Sequence, residues 1–167
     1  MTVVLRVMAI GAALGLAWTL AASRAIDQQR LPLDVVVPGG VVTQPFGCTT
    51  LTMEPFDPMC PSRHVHTGID LAAVSGTAVH AATGGVANVA YDGAGPGLFV
   101  TIEYGDNVRI LYCHLFAAAV TSGDVVSAGD TIGTVGASGL ATGPHVHFEV
   151  QVAGRSVNPE QWLASGS

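Results

Sequence analysis

The segment His145-Val-His-Phe-Glu-Val-Gln-Val152 alternates polar and apolar residues without a break. Successive side chains of an extended strand point to opposite faces, so Val146, Phe148, Val150 and Val152 line one face. His145, His147, Glu149 and Gln151 line the other. Two imidazoles side by side, with a carboxylate next along, can bind a metal or move protons. The exposed polar face of an edge strand accounts for a lone His-x-His about half the time, and periodicity alone does not choose between the two.

A second cluster, His64-Val-His-Thr-Gly-Ile-Asp-Leu71, sets His66 and Asp70 four residues apart, on one face if the chain is extended. Neutral imidazole and carboxylate are both good Zn²⁺ donors. With one histidine of the His-x-His strand they would make a three-ligand site with a position open to water. By itself His-x(3)-Asp is more often chance than metal. The third element is Tyr112-Cys-His-Leu115, ending the run Val108 to Leu115. Alternation puts Val108, Ile110, Tyr112 and His114 on one face and turns Cys113 to the other. Such a histidine is usually a satisfied, half-buried side chain; a catalytic or metal role applies in roughly one case in five.

The elements that must position these residues are short and β-rich. Runs from Val41 to Gln44, Ala78 to Ala81, Val86 to Tyr91, Phe99 to Tyr104, Val108 to Leu115, Val125 to Val126, Thr131 to Val135 and Val146 to Val152 are punctuated by glycine, and no long helical period follows Gly40. Gly105-Asp106-Asn107 and Gly154-Arg155 have the composition of hairpin turns. The pattern predicts an all-β, antiparallel domain. Asn158-Pro159 followed by Glu160-Gln-Trp-Leu163 predicts one short closing helix, capped by Asn158 and anchored by Trp162 and Leu163. The chain divides into residues 1–25, 26–39 as a linker entering the first strand, 40–163 as the domain, and a disordered tail at 164–167.

The first division contains an uncharged apolar stretch, Val7 to Ala22, that follows Arg6 and reads as a signal peptide or a signal anchor. Either reading exports the remainder to the cell envelope, secreted if the segment is cleaved and membrane-anchored if it is kept. The formal charge of −6, with six arginines and no lysine, argues against nucleic acid as a partner. Cys48 and Cys60 bracket a loop holding Pro55, Pro58 and Pro61. In an oxidising compartment a disulfide there is worth about 3 kcal/mol. Two unpaired thiols are the alternative, and the spacing is too long for a zinc finger. Cys113 is then left over as a buried packing residue.

Taken together, His66-x(3)-Asp70, Tyr112-x-His114-Leu115 and His145-x-His147-Phe-Glu149, in that order, resemble the lysostaphin/LytM-type zinc endopeptidases. The resemblance covers about Gly40 to Leu163 and includes His66-Thr-Gly-Ile-Asp-Leu71, Gly129-Asp-Thr-Ile-Gly-Thr-Val-Gly136, Ser138-Gly139 and Thr142-Gly-Pro-His145. It implies an antiparallel β-sandwich-like peptidase domain with a duplicated hybrid motif, acting on peptidoglycan. It further implies one Zn²⁺ held by His66, Asp70 and His147, with His114 and His145 as the catalytic histidines beside a metal-activated water. Glu149 would hold a site imidazole in its working tautomer, although an ordinary strand carboxylate accounts for it nearly as well. His64 and His80 have no role in the family, and no asparagine here corresponds to the inhibitory ligand of some members. Because some relatives lose ligands and regulate other wall hydrolases, a non-catalytic scaffold is the rival reading. A lipoyl-type carrier is disfavoured by the absence of lysine, and a cupin-like jelly roll by the position of His66 and Asp70 well upstream.

Overall fold

The computed structural model describes residues 30–166. The apolar stretch Val7 to Ala22 lies outside them. Among the described residues no helix is long and apolar enough to cross a membrane.

The architecture is antiparallel β, as the alternation and glycine punctuation lead one to expect. In chain order the elements are α1 (Leu33–Val36), β1 (Val41–Gln44), β2 (Gly47–Thr49), β3 (His64–His66), β4 (Ile69–Ala72), β5 (Ala78–His80), β6 (Gly85–Asp92), β7 (Gly97–Tyr104), β8 (Val108–Leu115), β9 (Ala117–Ala118), β10 (Val125–Val126), β11 (Thr131–Thr134), β12 (His145–Val152), β13 (Arg155–Val157) and α2 (Pro159–Ala164). The main sheet runs β1-β4-β12-β8-β7-β6-β10, with β13 also paired to β12. A smaller sheet runs β5-β11-β9, and β2 pairs with β3. The turn between β12 and β13 has Ala153 at φ 50° and Gly154 at φ 76°, the two successive positive φ values that a tight hairpin needs.

Both sheets contribute to one core. Val146, Phe148 and Val150 of β12 are fully buried together with Ile110 and Tyr112 of β8, Val100 and Ile102 of β7, and Val79 and Ile132 of the smaller sheet. Phe148 lies directly across from Tyr112, with ring centroids 5.3 Å apart. The Tyr112 hydroxyl accepts a hydrogen bond from the Ala82 N–H at 2.8 Å, which satisfies a buried polar group. Burying a side chain such as Phe148 stabilises the fold by about 1.5–3 kcal/mol. The opposite face of β12 is thereby left for the polar row.

Two expectations are corrected. The part of the 26–39 stretch that is described is no free tether. Leu33–Val36 forms a helical turn entered from Pro32, whose φ of −68° suits it, and Val36 and Val37 are fully buried. Core burial overrides the β-propensity of the valine run. The tail is also held further than expected. Ala164 is helical, and the Ser165 hydroxyl accepts from Arg30 Nη1 at 3.0 Å. Arg30 in turn donates to the Trp162 carbonyl at 2.6 Å and stacks 3.8 Å from the centre of its ring. The closing helix is as expected: the Asn158 side chain accepts from Gln161 N–H at 3.2 Å, and Leu163 is buried. Five strands fall outside the predicted runs: β2, β9 and β13, together with β3 and β4, which carry His66 and Asp70.

Candidate metal and catalytic site

The pairing of β4 with β12 sets Asp70 directly opposite His147. The chain passes from β3 to β4 through Thr67 and Gly68, which brings His66 to the same spot. A Cβ at Gly68 would lie 2.8 Å from the His147 ring and 2.5 Å from the Phe148 carbonyl oxygen, so only glycine lets this turn pass so close. His66, fully buried, reaches Asp70 Oδ1 at 3.1 Å and His147 Nδ1 at 3.0 Å through its Nε2, and His147 Nδ1 is 3.0 Å from Asp70 Oδ1.

Three donor atoms therefore form a nearly equilateral triangle. The far nitrogens show what each ring presents to it. His66 Nδ1 lies 3.0 Å from the Pro45 carbonyl, which can only accept, so that nitrogen carries the hydrogen and Nε2 turns a lone pair inward. His147 Nε2 lies 3.5 Å from Glu149 Oε2, which leaves Nδ1 to face the triangle. Two lone pairs and a carboxylate oxygen so close repel one another unless a proton or a metal cation sits among them. Their spacing is a few tenths of an ångström tighter than the roughly 3.3 Å expected between donors around a tetrahedral Zn²⁺. The residues present thus fit one such ion, and among the described residues these three are the group able to hold it.

Glu149 is more than an ordinary strand carboxylate. It is buried and accepts hydrogen bonds from Thr67 Oγ1 at 2.9 Å, Gln151 Nε2 at 2.8 Å and Ser156 Oγ at 2.6 Å. Burial alone would raise its pKa, but the bonds from His147, Ser156, Gln151 and Thr67 outweigh it and hold the carboxyl at about 2. It remains an anion fixed against the His147 ring. Replacing it, Glu149→Gln, is expected to weaken zinc binding about 10- to 100-fold, read by competition with a chelating dye. Unchanged affinity would return it to an ordinary role.

Asp70 follows the same logic. Burial disfavours its anion, yet the imidazoles of His147 and His66 against it outweigh burial and hold its carboxyl far below the usual range. Burial likewise disfavours the cation of His147, but Asp70 and Glu149 lift its pKa to about 9 in the apoprotein. At neutral pH a proton therefore competes with metal for that ring. Zinc loading should release protons at pH 7, and apparent affinity should rise with pH and level off above about 9. Calorimetry in buffers of different ionisation enthalpy measures this, and heats independent of buffer would contradict it.

The structure corrects the expectation for β8. Leu111 and Cys113 face Glu149 and His147 across the β8–β12 ladder, while Tyr112 enters the core. Alternation would send His114 into the core as well. Instead its φ is +62°, and its N–H bonds the Pro96 carbonyl at 2.8 Å. This left-handed residue costs on the order of 1 kcal/mol and turns the ring out toward His145 and His147. The centroid distances are 4.7 and 6.4 Å. Cys113 thus lies on the cleft side after all. It is excluded as a nucleophile by burial first, then by the charges of Glu149 and Asp70, which together push its thiol up to about 12 and keep it protonated.

His114 and His145 are held alike. His114 Nδ1 donates to the Ser138 carbonyl and His145 Nδ1 to the Gly143 carbonyl, each at 2.8 Å. Among the described residues neither Nε2 has a hydrogen-bond partner; that of His145 lies 3.9 Å from Asp70 Oδ1. Burial lowers the pKa of His114 despite its bond to Ser138, so it is neutral at pH 7. Ser138, Pro45, Thr67 and Ser156 all steady the site, and residue spacing gave no sign of these contacts. Ser138 is itself pinned, its hydroxyl donating to the Leu115 carbonyl and accepting from Leu98 N–H, both at 2.8 Å. His64 and His80 stand apart, bonded to the Glu54 and Gly129 carbonyls.

All this lies along a cleft of about 480 Å³. Leu51, Met53 and Pro55 make one stretch of its wall and Pro96 and Leu140 another. The first stretch belongs to the loop closed by Cys48 and Cys60, which are bonded with Cα atoms 5.4 Å apart. Denatured, unreduced protein made under oxidising conditions should titrate one thiol, that of Cys113; three would contradict the bridge.

The chain is similar to known proteins. The model of peptidase family M23 matches residues 64–159. Peptidoglycan DD-endopeptidase ShyA of Vibrio cholerae is 39% identical over 93 residues, covering 56% of this chain and 22% of that protein. Murein hydrolase activator EnvC of Escherichia coli K12 is 38% identical over 96 residues, covering 58% and 23%. The chain spans less than a third of the length of the curated relatives it matches. The catalytic domain of lysostaphin from Staphylococcus simulans superposes with a TM-score of 0.66 at 25% identity, covering 81% of this chain and 99% of that one. With the family model matched over more than half of its length and a His/Asp/His donor set in place, this chain belongs to peptidase family M23.

Proposed function

We propose that the chain is a zinc-dependent endopeptidase that hydrolyses peptide bonds of bacterial peptidoglycan, with His66, Asp70 and His147 holding the ion and His114 and His145 catalysing. The observation that carries this reading is the triangle of donor atoms with two further imidazoles beside it, each with an Nε2 unpartnered among the described residues. A bound Zn²⁺ supplies Lewis acidity that makes water a competent nucleophile near neutral pH. The chain's own residues do the rest. His114 Nε2, neutral and unprotonated, can take the proton of the attacking water and return it to the leaving amine. His145 Nε2, a lone-pair nitrogen like that of His114, can donate to the developing oxyanion once it has itself taken a proton. Carbonyl anchors on both rings fix which nitrogen faces the site before substrate arrives. The apolar walls of the cleft exclude water around an extended peptide.

The proposal includes export. Residues 1–25 would act as leader or anchor, and the Cys48–Cys60 bridge suits an oxidising compartment. Zinc-loaded protein should release peptide fragments from purified wall sacculi, with new termini inside stem or bridge peptides identified by mass spectrometry. The similarity to an activator sustains a second reading, a regulator without activity of its own. Fragments that appear only when another hydrolase is added would favour that regulator.

A further inference from the structure

The charges along the cleft are unbalanced. Asp70, Glu149 and Glu54 line it, whereas no arginine does, and the chain has no lysine. Asp70 and Glu149 are engaged with the histidines and with the ion they would hold. Glu54 is not: among the described residues it takes part in no ion pair.

Its carboxylate is nevertheless held in place beside the site. Gln44 stands across from Asp70 in the β1–β4 ladder, and its Nε2 donates to Glu54 Oε1 at 3.1 Å. The Glu54 backbone is fixed by its N–H to the Leu51 carbonyl and by the bond from His64 Nδ1 to its own carbonyl. The disulfide closes the loop around it. Leu51, Met53 and Leu140 stand 44%, 49% and 54% exposed on the cleft wall, available to side chains of a bound peptide. A fixed anion between low-dielectric walls favours a cation and repels a carboxylate.

We propose that Glu54 determines specificity by docking a cationic side chain of the peptide, so that the cleft selects stem peptides carrying a free ammonium group. The inference rests on the peptidase reading. A glycine-only bridge offers neither a side chain to the walls nor a cation to Glu54, and a peptide presenting a free carboxylate there is repelled.

The test uses the zinc-loaded full chain and two synthetic stem-peptide dimers. One has a diamino acid with a free side-chain amine, and in the other that amine is acetylated. Equilibrium binding by fluorescence anisotropy and cleavage kinetics are measured for both. Wild type should prefer the free amine about fivefold in Kd and in KM, with the difference absent from kcat. E54Q, which keeps the acceptor for Gln44, should bring the ratio to about one, and E54K should reverse it. The proposal is overturned if wild type treats the two peptides alike, or if E54Q keeps the preference. Amine-dependent binding without cleavage of either peptide would count against the peptidase reading while supporting the docking of the cation at Glu54. Cleavage without preference would sink this inference alone.

Discussion

Replacing His147 with alanine is expected to strip the protein of zinc and bring wall hydrolysis to background. The substitution removes Nδ1, one of three atoms set 3.0–3.1 Å apart, and leaves Asp70 facing His66 alone. If the roughly 10–16 kcal/mol with which proteins hold structural zinc is shared among four donors, each is worth about 3 kcal/mol, or about a hundredfold in affinity. His66→Ala should behave the same way, with a further penalty because its cavity is fully buried. The core contacts of β12 lie on the opposite face, so circular dichroism should show the fold retained in His147→Ala. Metal analysis by mass spectrometry after dialysis is the readout. Full zinc occupancy together with full activity would remove His147 from the site.

The second large effect separates chemistry from metal binding. His114→Ala and His145→Ala should each lower kcat/KM about 10²- to 10⁴-fold while zinc stays near one per chain. The two rings lie 4.7 Å apart and would act on one proton path, so the double variant should fall short of the product of the single losses. At His114 the φ of +62° adds a complication, since alanine is poorly suited to the left-handed region. His114→Asn controls for this, because asparagine visits that region at small cost while lacking the imidazole. Loss of zinc in these variants, or activity equal to wild type, would contradict the division of roles.

The same backbone detail marks where the sequence stopped being legible. Strand β12 could be read in full because its polar and apolar residues alternate through Val150, and the structure puts Phe148 and Val150 in the core and His147 beside Asp70. His66 and Asp70 were visible as donors, but only convergence with the other stretches raised them above chance. His114 was picked out by its neighbours Tyr112 and Leu115, yet the alternation that served β12 failed for its direction. That direction depends on Pro96, whose carbonyl holds its N–H, and on Ser138, whose carbonyl holds its ring. Neither contact leaves a local periodicity. The same is true of Ser156 and Thr67 at Glu149, and of Val36 and Val37, whose burial follows from packing. Local pattern, in short, reports which face a strand residue takes while the strand stays regular, and long-range hydrogen bonds decide the exceptions.

Anomalous X-ray diffraction on zinc-loaded crystals, collected on both sides of the zinc absorption edge, bears most directly on the central claim. The three-ligand site requires a single strong peak about 2.0–2.2 Å from His66 Nε2, Asp70 Oδ1 and His147 Nδ1. A peak bound elsewhere, or none among these three side chains in protein that still cuts cell wall, would contradict it.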